Sequence, residues 1–89
     1  MRAVVTVIGK DQIGIVHRVS GLMVDYKLNI VDISQTILGD YFTMIAIVDI
    51  SQMEASLDQV SEAYDGLGKE MGLSIRIQHE DIFEKMHQV

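Results

Sequence analysis

The residues best placed to do chemistry lie in GKDQIGIVHRV, Gly9 to Val19. Asp11 reads as the N-cap of a helix, with Gln12, Ile13 and Gly14 as its first positions. The first amides of a helix lack internal acceptors and carry the positive end of its dipole, so they donate readily to a carboxylate. Glycine inside a helix costs about 1 kcal/mol relative to alanine. At Gly14 the absent side chain lets a ligand approach the backbone. Asp11 can accept from an ammonium group. Asn29, before Ile30 at the start of a later apolar run, offers both donor and acceptor. Together these groups suit an amino-acid zwitterion, with amides for its carboxylate and Asp11 and Asn29 for its ammonium. A purely structural reading stays open beside this one: Asp11 as a cap, Gly14 for close packing, Asn29 as a turn residue.

Other chemistry is sparse. His17 sits at the margin of a helical stripe and reads as a surface or core-edge residue. His79, Glu80, Asp81, Glu84 and His87 could loosely gather a metal, but their spacing matches no tight ligand pattern, so no metal and no cofactor is expected. Asp58, Glu62 and Asp65 read as a solvated helix face. No Ser-His-Asp order, paired acids or cofactor fingerprint appears, and the expectation is a protein that is not an enzyme. The formal charge is −6 and the seven Lys and Arg are scattered, which argues against nucleic acid. Tyr41 and Phe42 are adjacent, so a strand sends them to opposite faces and they cannot form an RNA stacking platform. No run approaches the ~20 apolar residues of a membrane span. The chain has no cysteine, which fits a soluble cytoplasmic protein.

The elements that must position these residues follow from periodicity. AVVTVIG (3–9) is a β-branched strand. Ile15, Val19, Leu22 and Tyr26 then recur at helical spacing, with Val16 and Met23 alongside. Residues 28–38 and 41–50 read as two strands joined by a Gly39-Asp40 turn. Ser51-Gln52-Met53-Glu54 fits a capping box, opening a helix whose stripe runs Met53, Leu57, Val60, Tyr64, Leu67 and Met71. Gly72 suits the left-handed position after it. LSIRIQH (73–79) alternates as a fourth strand, and Ile82, Phe83 and Met86 mark a short helical tail. The order βαββαβ predicts an α+β, ferredoxin-like fold: a four-stranded antiparallel sheet with two helices on one face. Both rows of the third strand are largely apolar, so one apolar row must lie on the open face. That predicts a partner surface, with a homodimer as the first expectation.

VVTVIGKDQIGIVHRVSGLMVDYKLNIVDIS resembles the opening β-α-β of ACT domains. The shared features are a strand, a loop ending D-x-x-G (Asp11 to Gly14), and N-I at the start of the second strand (Asn29-Ile30). Many relatives carry proline where this chain has Ile13. The HEDIFEKMH ending is similar to a family of small prokaryotic proteins made of one ACT domain, related in fold to the glycine-cleavage-system regulator. The resemblance implies an ACT domain over 1–80 with a tail at 81–89. It implies a regulatory module binding an amino acid where one subunit's loop meets the next subunit's strand, through Asp11, Gln12, Ile13, Gly14, Asn29 and Ile30. The alternative is a non-catalytic dimerisation or partner-protein module without a ligand.

Overall fold

The computed structural model describes residues 1–86. Strands β1 (Arg2–Lys10), β2 (Asn29–Leu38), β3 (Tyr41–Asp49) and β4 (Leu73–His79) form one sheet in the order β2-β3-β1-β4. All neighbouring pairs are antiparallel. Helices α1 (Ile15–Asp25) and α2 (Leu57–Met71) join the strands as βαββαβ, and α3 (Glu80–Met86) follows β4. The ferredoxin-like architecture expected from the periodicity is therefore present.

Strand alternation decides the core. Ala3, Val5 and Val7 of β1, Phe42, Met44, Ala46 and Val48 of β3, and Leu73, Ile75 and Ile77 of β4 turn to the helices and are buried. Against them pack Ile15, Val19 and Met23 of α1, and Val60, Tyr64 and Leu67 of α2. Tyr64 is fully buried and its hydroxyl donates to the Val19 carbonyl oxygen at 3.0 Å, which ties the two helices together. Burial raises the Tyr64 pKa above its ordinary value of 10.0. A phenol that ionises more readily unfolded than folded gives stability that is intact below pH 10 and declines above it. Urea titrations from pH 8 to 11 should show that decline. Tyr64→Phe should flatten it and cost about 1 kcal/mol at neutral pH.

Two expected helix starts move. Helix α1 begins at Ile15, and its N-cap is Gly14, which has φ 90° and no side-chain cap bond. Asp11 is not the cap, and Gln12, Ile13 and Gly14 form a turn before the helix. Nothing lies within 4 Å of where a Gly14 Cβ would stand, so backbone conformation and not close packing calls for glycine there. The second capping box is at Ser56, not Ser51: Ser56 Oγ accepts from the Gln59 amide at 3.2 Å, and Gln59 Oε1 accepts from the Ser56 amide at 2.9 Å. Both S-x-x-E at 51–54 and S-x-x-Q at 56–59 fit the pattern. Only the second is followed at once by helix. Ser51 instead donates its amide to Asp49 Oδ1 at 2.8 Å and its hydroxyl to the same oxygen. The Ser51 side chain, then its amide, hold the Asp49 carboxyl below its usual pKa. Glu54 pairs with Lys27 at 2.7 Å on the surface.

The Gly39 turn and the Gly72 cap stand where expected, at φ 61° and 71°. Asp58, Glu62 and Asp65 are exposed as expected. On the open face β3 carries Tyr41, Thr43, Ile45 and Ile47, with Tyr41 and Ile45 well exposed. The tail helix packs on β1 and β4 and touches neither α1 nor α2. Val4 lies outside the core cluster yet is only 4% exposed. Helix α3 is thus the cover over that end of the open face.

Candidate functional site

The Asp11–Gly14 turn is held from two sides. The Asp11 amide donates to the Asp40 carbonyl oxygen at 2.7 Å, tying the turn to the β2–β3 hairpin tip. Gln12 Nε2 donates to the Met71 carbonyl oxygen at 2.8 Å, tying it to the end of α2. Gln12 therefore acts through its side chain as well as its backbone, a role that its neighbours in sequence do not signal. Ile13 is fully exposed, at 101%.

Inside that frame the amides stay available. Arg18 donates to the Gly14 carbonyl oxygen at 2.9 Å, the first bond of α1. The amides of Ile15, Val16 and His17 have no side-chain cap, and no acid stands in the first turn of the helix. The Gln12, Ile13 and Gly14 amides likewise meet no acceptor among the described residues. The helix dipole adds its positive end to this cluster of donors. The Asp11 carboxylate is exposed beside it with no hydrogen-bond or ion-pair partner among the described residues. A carboxylate donor set and an ammonium acceptor thus stand side by side, although the amides of the helix proper begin three residues later than expected.

Asn29 and Ile30 are elsewhere. Asn29 stands opposite Asp49, which is itself opposite Arg2, whereas Lys10, next to Asp11, stands opposite Tyr41. Along β2 that separation is about 30 Å at 3.3 Å per residue. One chain does not bring Asp11 and Asn29 together. Asn29 lines a shallow cleft with Met23, Val24, Lys27, Leu28 and Gln52.

The surface around β2 is unusual. All ten of its residues are exposed, and the strand is an edge. Ile30, Ile33 and Ile37 stand opposite Val48, Ala46 and Phe42, so they share the helix-side face of the sheet. Yet they are 42%, 41% and 57% exposed, because no helix reaches over them. Helix α1 lies beside this row, with the cleft between α1 and α2 lined by His17, Arg18, Gly21 and Asp25. Val16 and Val24 fall on the opposite flank of α1 and are exposed at 39% and 76%. An uncharged apolar corner therefore runs from the flank of α1 onto β2.

The remaining candidates do not assemble. His17 lies in the cleft between α1 and α2, near the exposed Arg18–Glu70 pair at 2.7 Å. His79 Nδ1 accepts from the Asp81 amide at 3.2 Å. His87 lies outside the described residues, and among those described no three His, Asp or Glu gather as for a metal. Among the described residues no helix is long and apolar enough to cross a membrane.

Comparison with known proteins agrees with this architecture. The ACT domain family model matches residues 2–78. A UPF0237 protein of Clostridium acetobutylicum is 49% identical over 89 residues, covering all of both chains. The solved ACT domain protein of Streptococcus pneumoniae is 43% identical, covers 94% of each chain and superposes with a TM-score of 0.81. A putative glycine cleavage system transcriptional repressor shares the fold at 23% identity and a TM-score of 0.73, with 99% of this chain and 49% of that one covered. With its βαββαβ order, its Asp11–Gly14 turn and full-length relatives, this chain belongs to the ACT domain family.

Proposed function

We propose that this protein is a non-catalytic, cytoplasmic sensor of a free amino acid, bound where two subunits meet. ACT domains are regulatory ligand-binding modules, and this chain is one such domain over 1–80 with a tail at 81–89. The observation that carries the reading is the separation of Asp11 from Asn29 within one chain, together with the bare β2 edge between them. Laid antiparallel against a second β2, that edge runs in the opposite sense. The partner's Asn29 then comes beside Leu38 and the hairpin tip to which Asp11 is tied. The same pairing satisfies the free backbone groups of the edge and covers Ile33, Ile37 and the Val16–Val24 flank. The amides of Gln12 to Gly14 and of the first α1 turn hold the ligand carboxylate. Asp11 and the partner's Asn29 hold its ammonium, with Ile30 of the partner closing the pocket.

Regulation follows if the ligand binds one dimer geometry better than another, since only differential affinity shifts an equilibrium. The name of the glycine cleavage repressor relative fits such a role, with a downstream protein reading the state of the dimer. The test is a thermal-shift panel of the proteinogenic amino acids on the wild-type chain. One or a few related amino acids should raise the melting temperature. A flat response across the panel would replace this reading with a dimerisation module that has no amino-acid ligand.

A further inference from the structure

An amino acid seated at the Asp11–Gly14 turn has its carboxylate on the amides and its ammonium on Asp11. Its side chain must leave the α-carbon in a third direction. Two surfaces border the turn on the way out. One is the hairpin tip, where Asp40 holds the Asp11 amide. The other is the corner between α1 and β2.

That corner is built from two elements. Ile37 stands opposite Phe42, and Phe42 stands opposite Gly9, so Ile37 lies in the row from which the turn departs. Next along the same face come Gln35, opposite Met44, and Ile33, opposite Ala46. On α1, Val16, Ser20 and Val24 recur every four residues and share one flank. The flank faces β2, since Val24 lines a cleft with Leu28 and Asn29. Ser20 adds no free donor to it, because its hydroxyl donates to the Val16 carbonyl oxygen.

The charges of this region point elsewhere or are already paired. Lys10 and Asp32 stand opposite Tyr41 and Ile47, on the open face of the sheet. Lys27, at the far end of the flank, pairs with Glu54 at 2.7 Å. His17, Arg18 and Asp25 line the cleft on the other side of α1. Asp40 is exposed at the hairpin tip. Gln35 is polar but neutral, so it cannot balance a charge. A charged side chain taken out of water into this corner would have no counter-charge, a cost that the surrounding contacts do not return. An apolar side chain gains there, by roughly fourfold in affinity per methylene.

We propose that the site selects an amino acid with an uncharged, apolar side chain, seated between Val16 and Ile37 and closed over by the partner's Ile30. The selectivity rests on the intersubunit amino-acid site proposed above. Val16 then serves twice, with its amide toward the carboxylate and its side chain toward the ligand's.

The test is calorimetry on the full chain with alanine, 2-aminobutyrate, norvaline and norleucine, which share one main chain and differ by single methylenes. Aspartate and lysine complete the set. Affinity should rise along the series, and norleucine should bind roughly sixty-fold tighter than alanine. Aspartate and lysine should give no binding heat. Equal affinities along the series would leave the side chain in water and overturn the selectivity while the sensor stands. Tightest binding of lysine would send the side chain to Asp40, and tightest binding of aspartate would require a cation in the corner; either overturns the selectivity alone. No binding of any proteinogenic amino acid would remove the sensor and the selectivity together. Val16→Ala gives a second readout. It should lower the ratio of norleucine to alanine affinity about tenfold, a ratio in which changes in main-chain binding or dimerisation cancel. An unchanged ratio in a variant folded by circular dichroism would take the side chain off the α1 flank and overturn the proposal.

Discussion

Gly68→Ala should destabilise the fold by about 2–3 kcal/mol, although alanine is the better helix former by about 1 kcal/mol. Gly68 lies in α2, and a Cβ there would stand 2.5 Å from the Leu73 carbonyl oxygen. That oxygen belongs to the backbone of β4 and cannot swing away as a side-chain end can. Helix α2 or strand β4 must shift, and the packing of Leu67 and Ile75 shifts with it. For a domain of this size the melting temperature should fall by roughly 10–20 °C. Gly66 is two residues away on the same helix, and nothing lies within 4 Å of its Cβ position. Gly66→Ala should gain up to about 1 kcal/mol. Paired melts of the two variants check the account, and equal shifts would contradict it.

Asp11→Ala should remove most of the response to the amino acid found in the panel. A hydrogen bond to a charged group contributes about 1.5–3 kcal/mol, so affinity should drop roughly 10- to 150-fold. At 100 times its dissociation constant a ligand adds about 2.7 kcal/mol to stability, and after a 100-fold loss of affinity about 0.4 kcal/mol. The melting shift then shrinks from more than ten degrees to about two or three. The fold itself should not suffer. The Asp11 carboxylate caps nothing, and the backbone amide that ties the turn to Asp40 is kept. A melting temperature that fell without ligand would signal a structural role for the carboxylate instead.

The sequence is read well where one signal dominates and poorly where two compete. Strand alternation identified the sheet and its helix-facing rows, because residues such as Val5, Val7, Met44 and Val48 have no second way to be buried. The helix starts were harder. Ser51 and Ser56 both satisfy the same short pattern, and the difference is tertiary: Asp49 captures Ser51, and Lys27 captures Glu54. Asp11 resembles a cap, but Gly14 at positive φ allows the chain one more turn before the helix, and spacing alone does not reveal φ. The Gln12–Met71 bond joins residues from distant parts of the sequence, and no local rule finds it. The exposed row on β2 was also hidden. Ile30, Ile33 and Ile37 share the face of the buried β3 row, and periodicity alone does not show that the helices stop short of them. The two halves of the candidate site lie at opposite ends of one sheet, a separation that residue spacing does not reveal.

That separation provides the most direct test of an intersubunit site. Asp11→Ala and Asn29→Ala should each lose the thermal and calorimetric response to the panel's amino acid. Mixed after denaturation and refolding together, the two variants form about half heterodimers, each with one site made of an intact Asp11 and an intact Asn29. The account predicts that about a quarter of the wild-type binding capacity returns, at wild-type affinity, by calorimetry. No recovery, with subunit exchange verified by mass, would contradict a site shared between two chains.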